Sequence, residues 1–238
     1  MKIGLFTDCH YTGVADVGGG RLASLSYEKV KLSMEQFKRE NVDLVFCLGD
    51  LTDVSKLDTH DDVAKNLEDI TSLIYSYGIP FYLVPGNHDY LCLKGAEIEK
   101  VGKLKLPPYK VSYENYDFIL LDANFRGNMK RFDETEIIWY DSNLPPDQVD
   151  FLKQELTSSN KKCVVLVHEN LDPSLEESHI IKNADEIRDI ITKSGKVVLV
   201  LQGHFHGGNE ITVDGIPYVT VPGMCVHEDG YYKIITLE

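Results

Sequence analysis

Short apolar runs punctuate the chain at Ile3 to Thr7, Val42 to Leu48, Phe81 to Val84, Phe118 to Asp122, Val164 to Val167 and Val197 to Leu201, each bounded by turn-forming residues. Near-continuous hydrophobicity over such lengths is what a strand covered on both faces requires. Between the first two runs, Ser24 to Glu40 sets Val30, Met34 and Phe37 on one helical face, and Asn41 supplies the expected stop. Helices are also predicted at His60 to Tyr77, Pro146 to Leu156 and Ala184 to Lys193. The end of the chain reads differently. Asn209 to Val213 and Ile216 to Val221 flank Asp214-Gly215 as a hairpin, and Tyr231 to Leu237 forms a last strand. Alternating strands and helices predict a layered α/β fold. With no internal repeat, low-complexity tract or linker, residues 1–238 read as one domain.

Donor side chains fall just beyond the carboxyl ends of these runs, where open α/β sheets place their ligand crevice. Asp8 and His10 follow the first run, and an i, i+2 spacing points both the same way from an extended segment. Asp50 follows the second, inside Gly49-Asp50-Leu51-Thr52-Asp53; Asn87, His88 and Asp89 follow the third, after the turn at Pro85-Gly86. His168 ends the fifth run, and His204 and His206 end the sixth, after Gly203. Taken singly these are weak signals, since a lone histidine is usually a surface or satisfied core residue. Five motifs, all at strand ends, carry the reading together. Asp8, His10, Asp50, Asn87, His168, His204 and His206 offer oxygen and nitrogen but no thiolate, which suits two ions such as manganese, iron or zinc. A pair ~3.5 to 4 Å apart needs a bridging carboxylate, for which Asp50 is the natural choice, and a shared water becomes hydroxide near neutral pH. Asp53, read alone, is a solvated loop carboxylate, whereas Asp89 is expected to fix its loop through backbone hydrogen bonds.

Charge narrows the substrate. Thirty-eight acidic against twenty-four basic side chains give −14, with no basic cluster to track a phosphate backbone, so long nucleic acids are not expected partners. A small anionic substrate must be drawn in by something locally positive. Two divalent ions held by Asp8, Asp50 and a hydroxide keep net positive charge and meet that need. The five cysteines are odd in number and form no CxxC pair, which predicts reduced thiols. No run approaches the ~20 apolar residues of a membrane span, and Met1 to Phe6 leads straight to Asp8. A cytoplasmic protein that does not engage membranes is expected; its oligomeric state is left open.

Asp8-Cys9-His10, Gly49-Asp50-Leu51-Thr52-Asp53, Gly86-Asn87-His88-Asp89, His168 and Gly203-His204-Phe205-His206 together resemble the motif set of the calcineurin-like metallophosphoesterases, over residues 1 to about 225. The resemblance implies layered mixed β-sheets flanked by helices, with the metal site at strand C-terminal ends. It implies a first ion held by Asp8, His10, Asp50 and His206, and a second by Asp50, Asn87, His168 and His204. It further implies that His88 gives a proton to the leaving group, steered by Asp53. The fourth motif departs from the pattern, because His168 is followed by Glu169-Asn170-Leu171-Asp172-Pro173 rather than by a small residue and proline.

The substrate is less legible. Gly13 to Ser26 is glycine-rich and forms a candidate lid, and its Arg21 is either a solvated loop residue or a clamp on a phosphate oxygen pair. The pattern Arg21-Leu-Ala-Ser-Leu-Ser-Tyr-Glu-Lys before the second strand, with Gly207-Gly208 and the Asp214-Gly215 hairpin after the last motif, resembles the manganese-dependent ADP-ribose and CDP-alcohol diphosphatase branch. Hydrolysis of nucleotide diphosphate compounds is therefore the leading expectation. A cyclic nucleotide phosphodiesterase or broad phosphomonoesterase is the alternative, and a non-catalytic scaffold is disfavoured because every ligand position is filled. Asn183 reads as a helix cap in preference to a substrate contact.

Overall fold

The computed structural model describes residues 1–13 and 17–238. The strands are β1 (Lys2–Phe6), β2 (Leu44–Cys47), β3 (Phe81–Leu83), β4 (Tyr109–Tyr113), β5 (Tyr116–Leu120), β6 (Lys162–Leu166), β7 (Val197–Gln202), β8 (Asn209–Val213), β9 (Ile216–Thr220) and β10 (Lys233–Thr236). The helices are α1 (Ser26–Arg39), α2 (His60–Tyr75), α3 (Gly95–Gly102), α4 (Pro146–Ser158) and α5 (Ala184–Ser194). Two mixed sheets form, one in the order β10-β1-β2-β3 and the other β4-β5-β6-β7-β9-β8. β1, β2 and β3 run parallel, as do β5, β6, β7 and β9, while β10, β4 and β8 are antiparallel at sheet edges.

The period-two geometry of a strand explains the layering. Ile3 and Leu5 of β1, Leu44 and Phe46 of β2, Phe118 and Leu120 of β5, and Val164 and Leu166 of β6 share the core between the sheets. The alternate residues face outward onto helices. Phe6, Val45 and Cys47 pack with Val30, Met34 and Phe37 of α1 and Leu67 and Ile70 of α2. Ile119, Val165 and Val200 pack with Leu152 of α4 and Ile187 and Ile191 of α5. Both faces of each sheet are covered, which is why these strands lack polar alternation.

The helix ends have local causes. Asn41 adopts φ 55° and halts the chain after α1, as expected. α2 opens on a capping box between Thr59 and Asp62 and closes two residues before the expected Tyr77. Two elements go beyond the apolar runs. α3 carries only Ile98 and Val101 as large apolar side chains, and β4 alternates apolar and polar residues as an edge strand does. Asn183 stands at the start of α5 but does not cap it with its side chain. Its amide instead exchanges hydrogen bonds with the backbone of Leu144 in both directions, tying α5 to the approach to α4. Among the described residues no helix is long and apolar enough to cross a membrane.

Phe46 is fully buried, and its ring lies 5.0 Å from that of Phe118 in the opposite sheet. Phe46→Ala should therefore destabilise the fold by about 3–5 kcal/mol in chemical denaturation, and a loss below about 1 kcal/mol would contradict this account of the inter-sheet core.

Candidate metal centre

The loops after β1 and β2 remain zipped beyond the strands: the amide of Asp8 donates to Gly49, that of His10 to Asp50 and that of Tyr11 to Leu51. The other sheet is locked to the same rim. His168 Nδ1–H donates to the carbonyl of Leu48 at 2.5 Å, and the amide of His204 donates to Asp8 Oδ2 at 3.1 Å. The glycines permit this closeness. A Cβ at Gly49 would collide with the His168 imidazole, and one at Gly86 with the Asp50 carboxylate.

The backbone that presents the donors differs from expectation. Asp8 and His10 do not project from an extended segment; both have φ 50°, and Asp50 and His204 are also left-handed at 50° and 66°. Such conformations are costly for residues with a Cβ. Here they occur in the loops after β1, β2 and β7, which hydrogen bonds across the rim hold fixed.

The side chains converge. Asp50 Oδ1 accepts the amide of His88 at 2.8 Å, and its Oδ2 lies 3.6 Å from His10 Nε2 and 3.4 Å from His168 Nε2. This carboxylate thus stands between two groups of donors. On one side His10 Nε2 and His206 Nε2 approach to 3.1 Å, with Asp8 Oδ1 at 3.9 Å and 3.4 Å from them. A separation near 3 Å is what two imidazole nitrogens, each about 2.0–2.1 Å from one ion, show at roughly a right angle. On the other side, Asp50, His168 and His204 bring their donor atoms within 4.8 Å of one another. Asn87 lines the same cleft, with His88, His204, His206 and Arg21.

A decisive feature is what these groups lack. Asp8 Oδ1, Asn87 Oδ1, His168 Nε2 and His204 Nε2 are all buried without a hydrogen-bond partner among the described residues, a condition that costs about 1–3 kcal/mol per group. Four such groups around one carboxylate fit a cation site, and the donor set suits a transition metal.

Burial opposes ionisation of Asp8, but the neighbouring His206, 3.4 Å from its Oδ1, and then the charge of His168 outweigh it and lower its pKa to about 2. Burial likewise opposes ionisation of Asp50, which His168 and His88 nevertheless hold well below the usual carboxylate range. Burial and the neighbouring His168 depress His204 to about 3, leaving it neutral. His168 is raised, because Asp50 and Asp8 overcome its burial and attract a proton; cation binding would displace that proton.

Asp53 accepts from His10 Nδ1 at 3.0 Å and pairs with His88 Nδ1 at 2.9 Å. It is 2% exposed, so it is not the solvated loop carboxylate its surroundings in sequence suggest. His88 is raised despite its burial, by the charges of Asp50 and Asp53. Arg21 Nε lies 3.4 Å from Asp53, and Arg21 follows a three-glycine turn closed by a bridge to Val17; Val14 to Asp16, within the expected lid, lie outside the described residues. Asp89 accepts from the amides of Gly86 and Thr52, fastening the loops after β2 and β3 together.

Several neighbours were not singled out by sequence. Trp139, His179 and Phe205 line the cleft, and Cys225 Sγ lies 3.7 Å from His206 Nδ1. Phe205 lies between two motif histidines, but Trp139 and His179 sit in long loops with no spacing to betray them. Glu169 is fully buried with neither carboxylate oxygen bonded among the described residues, and burial pushes it up to about 8.

The sandwich and its rim define a metal-dependent phosphoester hydrolase. The calcineurin-like phosphoesterase family matches residues 1–208, and the chain belongs to that family. It is 23% identical over 234 residues to a probable cyclic nucleotide phosphodiesterase of Psychrobacter arcticus, covering 93% of this chain and 77% of that protein. It is also 23% identical over 219 residues to the 3',5'-cyclic adenosine monophosphate phosphodiesterase of Escherichia coli, covering 90% of this chain and 72% of that one. Among solved structures, a dimetal phosphatase from Danio rerio superimposes with a TM-score of 0.85 at 18% identity, over 98% of this chain and 91% of that chain. At that identity the likeness establishes the fold.

Metal-reconstituted protein should contain about two transition-metal ions per chain by elemental analysis. Asp50→Ala should reduce this to less than one and abolish the rise in Tm that metal gives the wild-type protein. A value near zero for reconstituted wild type would overturn the ligand set.

Proposed function

We propose that this chain, acting as one domain over residues 1–238, hydrolyses small nucleotide-type phosphate compounds at two manganese, iron or zinc ions, preferring a phosphoanhydride link as in ADP-ribose or a CDP-alcohol. The observation that carries the metal assignment is the set of unpartnered buried donors on Asp8, Asn87, His168 and His204 around Asp50. Asp8, His10, Asp50 and His206 would hold one ion, and Asp50, Asn87, His168 and His204 the other. Two bound ions would supply charge for the phosphoryl oxygens and an activated water. The pairing of β10 with β1 supports the single unit, because the last strand completes the first sheet. A cytoplasmic location belongs to the same reading, supported by five cysteines standing as free thiols.

His88 would deliver the proton to the leaving oxygen. Asp53 holds its Nδ1, which leaves Nε2 for the cleft, and the surrounding carboxylates favour the protonated ring. Arg21 stands at the same end of the cleft as His88, where it supplies positive charge for a second phosphoryl group. Cyclic nucleotides, with one phosphoryl group, gain less from it. The relatives named as cyclic nucleotide phosphodiesterases favour that second reading.

If His88 is the acid, His88→Ala should keep its metal and lose ~10² to 10⁴ in rate with a poor leaving group, but far less with p-nitrophenolate. Equal losses would make His88 a positioning residue. Arg21→Ala should lower kcat/KM for ADP-ribose about 10- to 100-fold, and that for cyclic AMP less. Steady-state kinetics on both substrates checks this; a wild-type preference for cyclic AMP, or equal losses, would select the second reading.

A further inference from the structure

The centre described above accounts for one end of the cleft. Its other end is aromatic. Trp139, the single tryptophan of the chain, comes from the connection between β5 and α4, His179 from the segment between β6 and α5, and Phe205 from the turn after β7. The Trp139 ring centroid lies 5.6 Å from that of His204 and 5.4 Å from that of His179, and His179 stands edge-on to Phe205 at 5.2 Å. Trp139 is nevertheless 39% exposed, and its neighbour Tyr140 is 51% exposed. A ring that packs near imidazoles, lines the cleft and stays partly exposed presents apolar surface where a ligand can cover it.

The placement is asymmetric. Arg21 reaches Asp53, and through it the His10 and His88 side of the site. Trp139 touches His204, which belongs with His168 on the other side of Asp50. A phosphoryl group held at Asp50 would therefore have a cation on one side and an aromatic wall on the other. The cleft, at about 360 Å³, falls in the range of small-molecule sites and exceeds what a phosphoryl group alone would fill.

We propose that Trp139, with His179 and Phe205, is the seat of the nucleobase, a flat aromatic ring that stacks on the indole while its phosphate lies at the metal centre. Every base has a π-face, so this wall selects for nucleotides as a class over base-free sugar phosphates. The inference rests on the nucleotide reading of the site, and it holds for anhydride and cyclic diester substrates alike.

The test compares AMP with ribose 5-phosphate, which share sugar and phosphate and differ by the base. Both are used as competitive inhibitors of bis(p-nitrophenyl) phosphate hydrolysis by Mn²⁺-loaded enzyme. Trp139→Ala should raise the inhibition constant of AMP about 5- to 100-fold, the range that base–aromatic stacking supplies, and change that of ribose 5-phosphate by less than about twofold. Trp139→Phe should restore most of the difference. In wild-type protein AMP, but not ribose 5-phosphate, should quench tryptophan fluorescence, a signal that belongs to Trp139 alone. Equal effects of Trp139→Ala on both inhibitors, or equal quenching by both, would overturn the proposal. Absence of hydrolysis would count against the phosphoesterase reading instead, and the quenching titration would still decide the base site.

Discussion

Asp50 is the side chain on which the site closes. It is buried, it receives the amide of His88 on one oxygen, and its other oxygen stands between His10 and His168, which come from different sheets. A carboxylate in that position is tolerable only if positive charge surrounds it, because an unpaired buried charge is far costlier than any packing gain nearby. Asp8, Asp53 and Asp89, each at most 3% exposed, crowd the same loops. The left-handed turns at Asp8, His10 and Asp50, the close approach at Gly49 and Gly86 and the cross-sheet hydrogen bonds to Leu48 and Asp8 all hold these groups together. Metal binding would relieve the repulsion that this assembly creates, so the strain in the rim and an affinity for cations would have one origin.

That origin also resolves the mismatch between an acidic protein and an anionic substrate. The formal charge of −14 repels phosphate at long range, but screening confines this effect to roughly 10 Å at ordinary ionic strength. Within the cleft, bound cations together with His88 and Arg21 would set the sign locally. Trp139, His179 and Phe205 line the same cleft and, as the proposed seat of the base, would add affinity that carries no charge, so that discrimination among phosphate compounds would rest on what lies beyond the phosphorus.

How much of this was legible in the chain depends on the range of the interaction involved. The apolar runs mark strands that both faces of a sheet cover, so the layered fold and the strand-end positions of Asp8, Asp50, Asn87, His168 and His204 follow from local pattern. α3 and β4 did not stand out, since one has few apolar residues and the other is an edge strand with polar alternation. The hydrogen-bonding role expected of Asp89 needed only a turn next to a backbone, and it is there. The extended geometry expected for Asp8-x-His10 failed because dihedral angles in that loop are imposed by the loop after β2, not by neighbours in sequence.

The sequence by itself determined the donor types, their place after apolar strands and the net acidic charge, because these depend on composition and short-range periodicity. Tertiary structure alone decided which donors face one another, that Asp53 is buried between His10 and His88, and that Trp139 and His179 join the cleft. Asn183, in the same way, serves the backbone of Leu144 and not its own helix. Such contacts join residues tens to hundreds of positions apart, and their geometry is set by how the two sheets pack, to which no local pattern of side chains is sensitive.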